Sequence, residues 1–143
     1  MIQKSNFNEV YYYWSTALWP KRESPIEKTS AIDPSGKINC NLLNNPVWFY
    51  KFAKTSDIQG VISVQQTDDN CFRTRGIWVR EDLRGKGLGK ELIIHVAKLA
   101  KNLGAEFLWT MPRKTAVNFY LNLGFKIYNE TDEYEFGKHY LAM

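Results

Sequence analysis

Apolar residues recur at spacings of three and four between positions 5 and 18, where Phe7, Val10, Tyr11, Trp14 and Leu18 fall on one face of a helix. Asn6 stands ahead of the stripe with Glu9 three residues on, the spacing of a capping box, and Pro20 ends the run. Pro25 is placed to open a short second helix around Ile26-Glu27-Lys28, and Asp33-Pro34-Ser35-Gly36 predicts a turn. From Val47 the period shortens. The β-branched and aromatic runs Val47 to Ala53 and Ile58 to Gln65, separated by Lys54-Thr55-Ser56-Asp57, predict an antiparallel pair. Cys71 to Val79 predicts a third strand, with Arg73 and Arg75 on the face of Cys71, Ile77 and Val79. Basic side chains on an inward face are unusual, and a bulge near Gly76 that leaves both arginines solvated is the alternative.

Helical spacing returns with Leu88, Leu92, Val96, Leu99, Ala100 and Leu103, a long helix over 87–102 closed by Gly104, with His95 at the edge of its apolar stripe. Ala105 to Thr110 then reads as a short buried strand parallel to the one ending at Val79, which makes a β-α-β unit. Pro112 to Leu123 predicts another helix, ended by Gly124. Phe125 to Tyr128 and Tyr134 to Leu141 predict a closing hairpin around the acidic turn Asn129 to Glu133. The fold class is mixed α/β: antiparallel strands first, one crossover in the middle, then a helix and a hairpin.

With 143 residues the chain fits a single domain over 1–143. Its 44% hydrophobic and 15% aromatic content argues against disorder, and no stretch approaches a membrane span or a signal peptide, so a soluble, cytoplasmic protein is expected. Cys40, Cys71, His95 and His139 lie far apart without ligand spacing, which points away from a metal site. The net charge of +4 suits a polyanionic partner, but the lysines are scattered without a basic helix or a stacking motif, which argues against nucleic acid.

The chemistry concentrates where the third strand runs through Arg80-Glu81-Asp82-Leu83 into Arg84-Gly85-Lys86-Gly87-Leu88-Gly89-Lys90 and then into the long helix. Glycines let backbone N–H groups approach a ligand closely, and N–H groups at a helix start lack intrahelical partners, so the turn is built for a phosphate. Two nucleotide motifs fail on spacing. A P-loop requires Gly-Lys-Ser/Thr where this chain has Gly89-Lys90-Glu91, and the dinucleotide fingerprint requires Gly-x-Gly-x-x-Gly where it has Gly-x-Gly-x-Gly.

Arg84-Gly85-Lys86-Gly87-Leu88-Gly89 resembles the Arg/Gln-x-x-Gly-x-Gly/Ala pyrophosphate loop of the GNAT superfamily of acyl-CoA-dependent N-acetyltransferases. The flanking strand, the long helix, the strand to Thr110 and the Tyr120-Leu121-Asn122-Leu123-Gly124-Phe125 segment extend the likeness over about residues 71 to 128. The resemblance implies a splayed central sheet that admits coenzyme A. The pyrophosphate would lie on Arg84 through Gly89 with Lys90 beside it, and the pantetheine arm along Ile77, Trp78 and Val79. It implies direct transfer from acetyl-CoA to an amine, an oxyanion contact from the Val79 backbone, and Tyr120 as the acid for the leaving thiolate. The same Tyr120 also reads as a core aromatic sharing a face with Val117 and Leu121.

The chain departs from the family in two places. Only a few residues precede the first helix, so the usual opening strand is short, missing or displaced to around Ile38 to Leu42. Arg113 stands where many members have asparagine, and is read as a contact to pantetheine, to a cofactor phosphate or to an acidic substrate group, or equally as a solvated side chain at a helix start. Trp14, Trp19, Arg22 and Trp109 are the acceptor-site candidates; their aromatic neighbourhood suits a flat, partly apolar acceptor, a homodimer contact, or simply core. Glu81, Glu135, His139 and a water chain stay open as general base. A non-catalytic acyl-CoA-binding module is the competing function.

Overall fold

A computed structural model describes residues 1–134 and 137–142, with side chains described for residues 1–127. A five-stranded sheet runs in the order β1 (Ile2–Lys4), β2 (Val47–Lys54), β3 (Asp57–Gln66), β4 (Cys71–Val79) and β5 (Phe107–Trp109), and a separate hairpin is made by β6 (Ile127–Tyr134) and β7 (Gly137–Ala142). The first four strands are antiparallel neighbours, whereas β5 pairs parallel to β4. The opening strand is thus present but short, Ile2 facing Phe52 across the edge.

Helix α1 (Phe7–Tyr13) starts as the capping pattern predicts, the Glu9 amide donating to Asn6 Oδ1 at 2.9 Å. The Glu9 carboxylate does not close the box; it accepts from Ser5 and pairs with Lys51 on β2, tying the helix to the sheet. The helix widens into a π turn over Trp14–Leu18, where the Trp19 amide donates to the Trp14 carbonyl and the two indole rings come within 5.1 Å. No helix forms after Pro25: residues 21–31 are irregular, and the expected second helix around Ile26-Glu27-Lys28 is absent. Three residues of helical propensity cannot offset nucleation without an apolar face to bury. The turn at Asp33 to Gly36 is as expected, with Gly36 donating to the Asp33 carbonyl.

Helices α2 (Leu88–Asn102) and α3 (Val117–Asn122) end in the same way. In α3 the Gly124 amide bonds the Leu121 carbonyl and the Phe125 amide the Tyr120 carbonyl, a Schellman motif with Gly124 left-handed at φ +97°. Phe125 is thereby folded back edge-on against Tyr120, at 5.2 Å, which is the physical content of the Tyr-x-x-x-Gly-Phe pattern. The final hairpin departs from expectation. Residues 129–133 lie within β6, and the acidic segment is strand; the connection at 135–136 falls outside the described residues. An extended strand accommodates charged side chains when one face is solvated.

Two apolar clusters sandwich the sheet. Tyr50, Ile62, Val64 and Phe72 pack on one face under Leu92, Val96 and Tyr120 of the later helices, and Phe49 and Val61 pack on the other under Val10 and Trp14 of α1. His95 rests edge-on against Tyr50 at 4.5 Å, a boundary residue whose burial lowers its pKa.

Candidate active site

β4 changes face partway along. Its pairing with β3 runs Ser63 to Arg75 and then Val61 to Trp78, so Gly76 and Ile77 together oppose Ile62 in a β-bulge. Before the bulge Arg73 and Arg75 point to the α1 side; after it Trp78 takes that side, stacked on Tyr13, and Ile77 packs with the α2 cluster. The bulge near Gly76 is therefore real, but the arginines are not solvated. Arg73 is buried at 7% exposure with its guanidinium over Trp109 and Nη1 donating to Ser30 Oγ at 2.6 Å. Arg75 lies between the rings of Trp14 and Trp19, 5.0 Å from each centroid, and donates to the Glu27 carbonyl. Indole faces attract guanidinium cations, and that is how the sequence keeps two arginines off the solvent.

Among the described residues, no strand pairs with the last part of β4 on its far side. β5 pairs with Cys71, Phe72 and Arg73 only, and β4 runs on to Val79 while the two strands part. Arg80 donates to the Gln59 carbonyl at 2.9 Å, which makes that couple a hydrogen-bonded pair of the ladder. Antiparallel alternation then turns the Val79 N–H and C=O away from β3, toward the gap. Arg84 Nε donates to the Val79 carbonyl at 3.0 Å, so the loop arginine reaches back onto the strand end.

The glycine turn closes the gap at one end. Gly85 and Gly87 are left-handed, at φ +77° and +88°, with nothing within 4 Å of where a Cβ would stand, and Gly87 is the N-cap of α2. Gly89 differs. A Cβ there would meet Phe119 at 3.2 Å, so this glycine serves the close approach of α2 and α3. At the other side of the gap Tyr120 is buried and hydrogen-bonded to Thr110, and burial pushes its phenol up to about 12, against smaller opposing effects of Thr110 and Arg73.

These parts share one cleft of about 940 Å³. Of the residues expected at the site, Ile77, Trp78, Val79, Arg84, Gly85, Gly87, Leu88, Gly89, Lys90, Arg113, Tyr120, Trp19 and Arg22 line it. Lys86 is exposed and outside its lining. Trp14 and Trp109 are wholly buried and outside the lining, and stand behind Arg75 and Arg73 as aromatic backing. Arg113 donates to the Leu18 carbonyl at 2.9 Å, and burial together with the Arg22 charge lowers its pKa, so it sits with the α1 end of the cleft. Arg73 and Arg75 were visible in sequence only as an oddity of facing, and both line the cleft. Glu81 is exposed in the link after β4; Glu135 and the side chain of His139 lie outside the described residues.

The profile of the Acetyltransferase (GNAT) family matches residues 9–125. The chain belongs to that family. Among solved structures, this GNAT chain is similar to an IAA acetyltransferase from Bacillus cereus, with 23% identity over 72% of this chain and 80% of that one and a TM-score of 0.63. An aminoglycoside 6'-N-acetyltransferase complexed with coenzyme A matches at 14% identity over 100% and 96% of the two chains, TM-score 0.73. The PaiA N-acetyltransferase of Thermoplasma acidophilum, also in complex with coenzyme A, matches at 18% identity over 67% and 59%, TM-score 0.59. At these identities the likeness is one of fold. A search of curated proteins returns no match. GNAT membership carries acetyl transfer in general, and the acceptor is a matter for the cleft's own chemistry. Among the described residues no helix is long and apolar enough to cross a membrane, and no three His, Cys, Asp or Glu side chains gather as a metal site.

Proposed function

We propose that this protein moves an acetyl group from acetyl-CoA to a primary amine of a small molecule or peptide. The observation that carries the reading is the sharing of one cleft by three features: the left-handed glycine turn at the start of α2, the outward-facing Val79 backbone, and the buried Tyr120. An open glycine cradle with Arg84 and Lys90 beside it fits a pyrophosphate, and an unpaired strand edge over Ile77 to Val79 fits an extended pantetheine arm. Arg84 would leave the Val79 carbonyl for a phosphate, freeing that carbonyl for the arm.

In the transfer the amine nitrogen bonds the thioester carbonyl carbon, the carbon–sulfur bond breaks, and the proton the amine loses balances the one the sulfur gains. The Val79 N–H is the donor assigned to the carbonyl oxygen. Tyr120 is assigned to the sulfur. With its pKa near 12, full transfer to a thiolate whose conjugate acid lies near 8.5 is uphill by roughly 5 kcal/mol. The phenol therefore keeps its proton and donates a hydrogen bond that strengthens as negative charge builds on the sulfur, and the proton lost by the amine ends on the sulfur.

Acetyl-CoA at about 100 times its dissociation constant should stabilise the fold by roughly 2.7 kcal/mol in a thermal-shift titration. Absence of any shift would sink the cofactor assignment. Thiol release over a panel of amines then decides for catalysis, since a shift without release from any amine identifies a binding module. Tyr120→Phe should keep the acetyl-CoA shift and lower turnover by roughly ten- to a thousandfold; unchanged turnover removes Tyr120 from the chemistry.

A further inference from the structure

After the π turn the chain runs as a strap, residues 21–31, that has no regular structure of its own. Trp19, Arg22, Ser24, Ser30 and Ile32 of this region line the cleft. The strap lies beside the part of β4 that precedes the bulge, since Arg75 donates to the Glu27 carbonyl at 2.8 Å and Arg73 to Ser30 Oγ. The glycine turn stands past the other end of that strand. A segment that makes no ladder must have its backbone groups satisfied, and its position set, from outside.

The anchor is a side chain of the sheet. Gln65 on β3 is 2% exposed and lies between Val47 of β2 and Arg73 of β4. Its carboxamide reaches out of the sheet. The Ser30 N–H donates to Oε1 at 3.0 Å, and Nε2 donates to the Ser30 carbonyl at 3.1 Å and to the Leu42 carbonyl at 2.9 Å. An amide that exchanges two hydrogen bonds with one residue reproduces, through a side chain, the pairing of an antiparallel ladder. Arg73, opposite Gln65 in the register, completes the grip, its Nη1 donating to the Ser30 hydroxyl at 2.6 Å. The N–H, carbonyl and hydroxyl of Ser30 are thus all bound by one cross-strand pair. A methionine or leucine would pack the Gln65 position without burying polar atoms; what the carboxamide adds is a fixed place for Ser30.

We propose that Gln65 is a positioning residue for the acceptor: by fixing Ser30 it sets the strap as the cleft wall against which the amine lies, while the cofactor occupies the glycine turn and the Ile77 to Val79 edge. The inference rests on the acetyl-transfer reading above and adds a residue that governs acceptor binding from behind the wall. Gln65 itself does not line the cleft, so its effect on the acceptor passes through Ser30. A wall displaced by about 1 Å costs an oriented reaction up to roughly a hundredfold, which makes the anchor measurable.

The first test needs no variant. In the wild-type protein the Ser30 amide, although it lies in an irregular segment, should exchange with deuterium at least about a hundredfold more slowly than its intrinsic rate, read by NMR. Free exchange overturns the proposal. The second uses Gln65→Met, which keeps the bulk and removes all three hydrogen bonds, with ethanolamine, 6-aminohexanoate, spermidine and glycylglycine as acceptors in steady-state thiol release. For the fastest of these, kcat/KM should fall by about ten- to a hundredfold, chiefly through the amine KM, while the dissociation constant of acetyl-CoA stays within about twofold. If Gln65→Met does not fold, Gln65→Glu, which keeps the acceptor for the Ser30 N–H and loses both donors, carries the same comparison. A variant that is less stable but has an unchanged kcat/KM for the amine overturns the positioning role. So does acetyl-CoA binding weakened about tenfold or more, which assigns the strap to the cofactor. Should no amine release thiol from the wild type, the transfer reading fails by itself and the acceptor role falls with it. The anchor is then decided by exchange: Gln65→Met must speed the Ser30 amide by about tenfold or more with the acetyl-CoA thermal shift retained, and an unchanged rate overturns it.

Discussion

An alanine Cβ at Gly76 would stand 2.2–2.3 Å from the ring of Trp14, and the backbone there is left-handed at φ +71°. Both facts follow from the bulge, whose carbonyl also accepts the Trp14 indole N–H at 2.7 Å. Gly76→Ala should therefore cost roughly 3 kcal/mol, combining left-handed strain with overpacking, and denaturant unfolding will show it. A loss under about 1 kcal/mol would mean that Trp14 yields without consequence. The variant should also disturb Arg75, which is adjacent in the chain and stacked on the same ring. Sequence made Gly76 readable as a bulge, because local chain stiffness is encoded within a few residues, while Tyr120 became a candidate acid only through the family resemblance. It left Arg73 and Arg75 undecided between an inward and a solvated place, because their burial depends on indole rings 36 to 61 positions away in the chain.

The turn from β4 into α2 shows how one motif divides into different duties. Gly85, Gly87 and Gly89 look equivalent as alternate glycines, yet only the first two are left-handed, and only the third has a neighbour that a side chain would press. Gly85→Ala and Gly87→Ala should each cost about 1–2 kcal/mol from backbone strain alone. Together they should abolish or sharply reduce the acetyl-CoA thermal shift while leaving a cooperatively folded protein. A full shift in the double variant would show that the cradle does not hold the pyrophosphate. The helices themselves were legible from periodicity and glycine caps, since each carries its own apolar face and stop signal. The segment after Pro25 was not, because proline permits a helix start without supplying an apolar face for it to bury.

Across the whole molecule, burial of tyrosines couples stability to alkaline pH. Burial raises the pKa of Tyr120 to about 12, and raises those of Tyr50 and Tyr13 as well. The folded state thus holds these protons more tightly than the unfolded chain. Their contribution is complete below pH 10 and is lost as pH rises from 10 toward 12, while Arg75, with its lowered pKa, acts in the opposite direction. The Tyr120 share appears as a difference. Between pH 9 and 11.5 the wild type should lose about 2 kcal/mol more than Tyr120→Phe in urea unfolding. Equal losses would mean that the phenol reaches water in the folded protein.

The order of strands and helices from Val47 to Gly124, the parallel crossover, the glycine turn and the family were present in the linear chain, because periodicity, caps and glycine spacing act over distances of a few residues. Tertiary structure decided the rest. It made the acidic segment of the last hairpin a strand, buried Trp14 and Trp109 behind Arg75 and Arg73, and set Arg113 against the Leu18 carbonyl. It also gathered Arg22, Arg73, Arg75 and Arg113 from three separate segments around one cavity. Charge of that kind has no sequence signature, since the energy that assembles it comes from aromatic faces and strand parting that exist only once the sheet has formed.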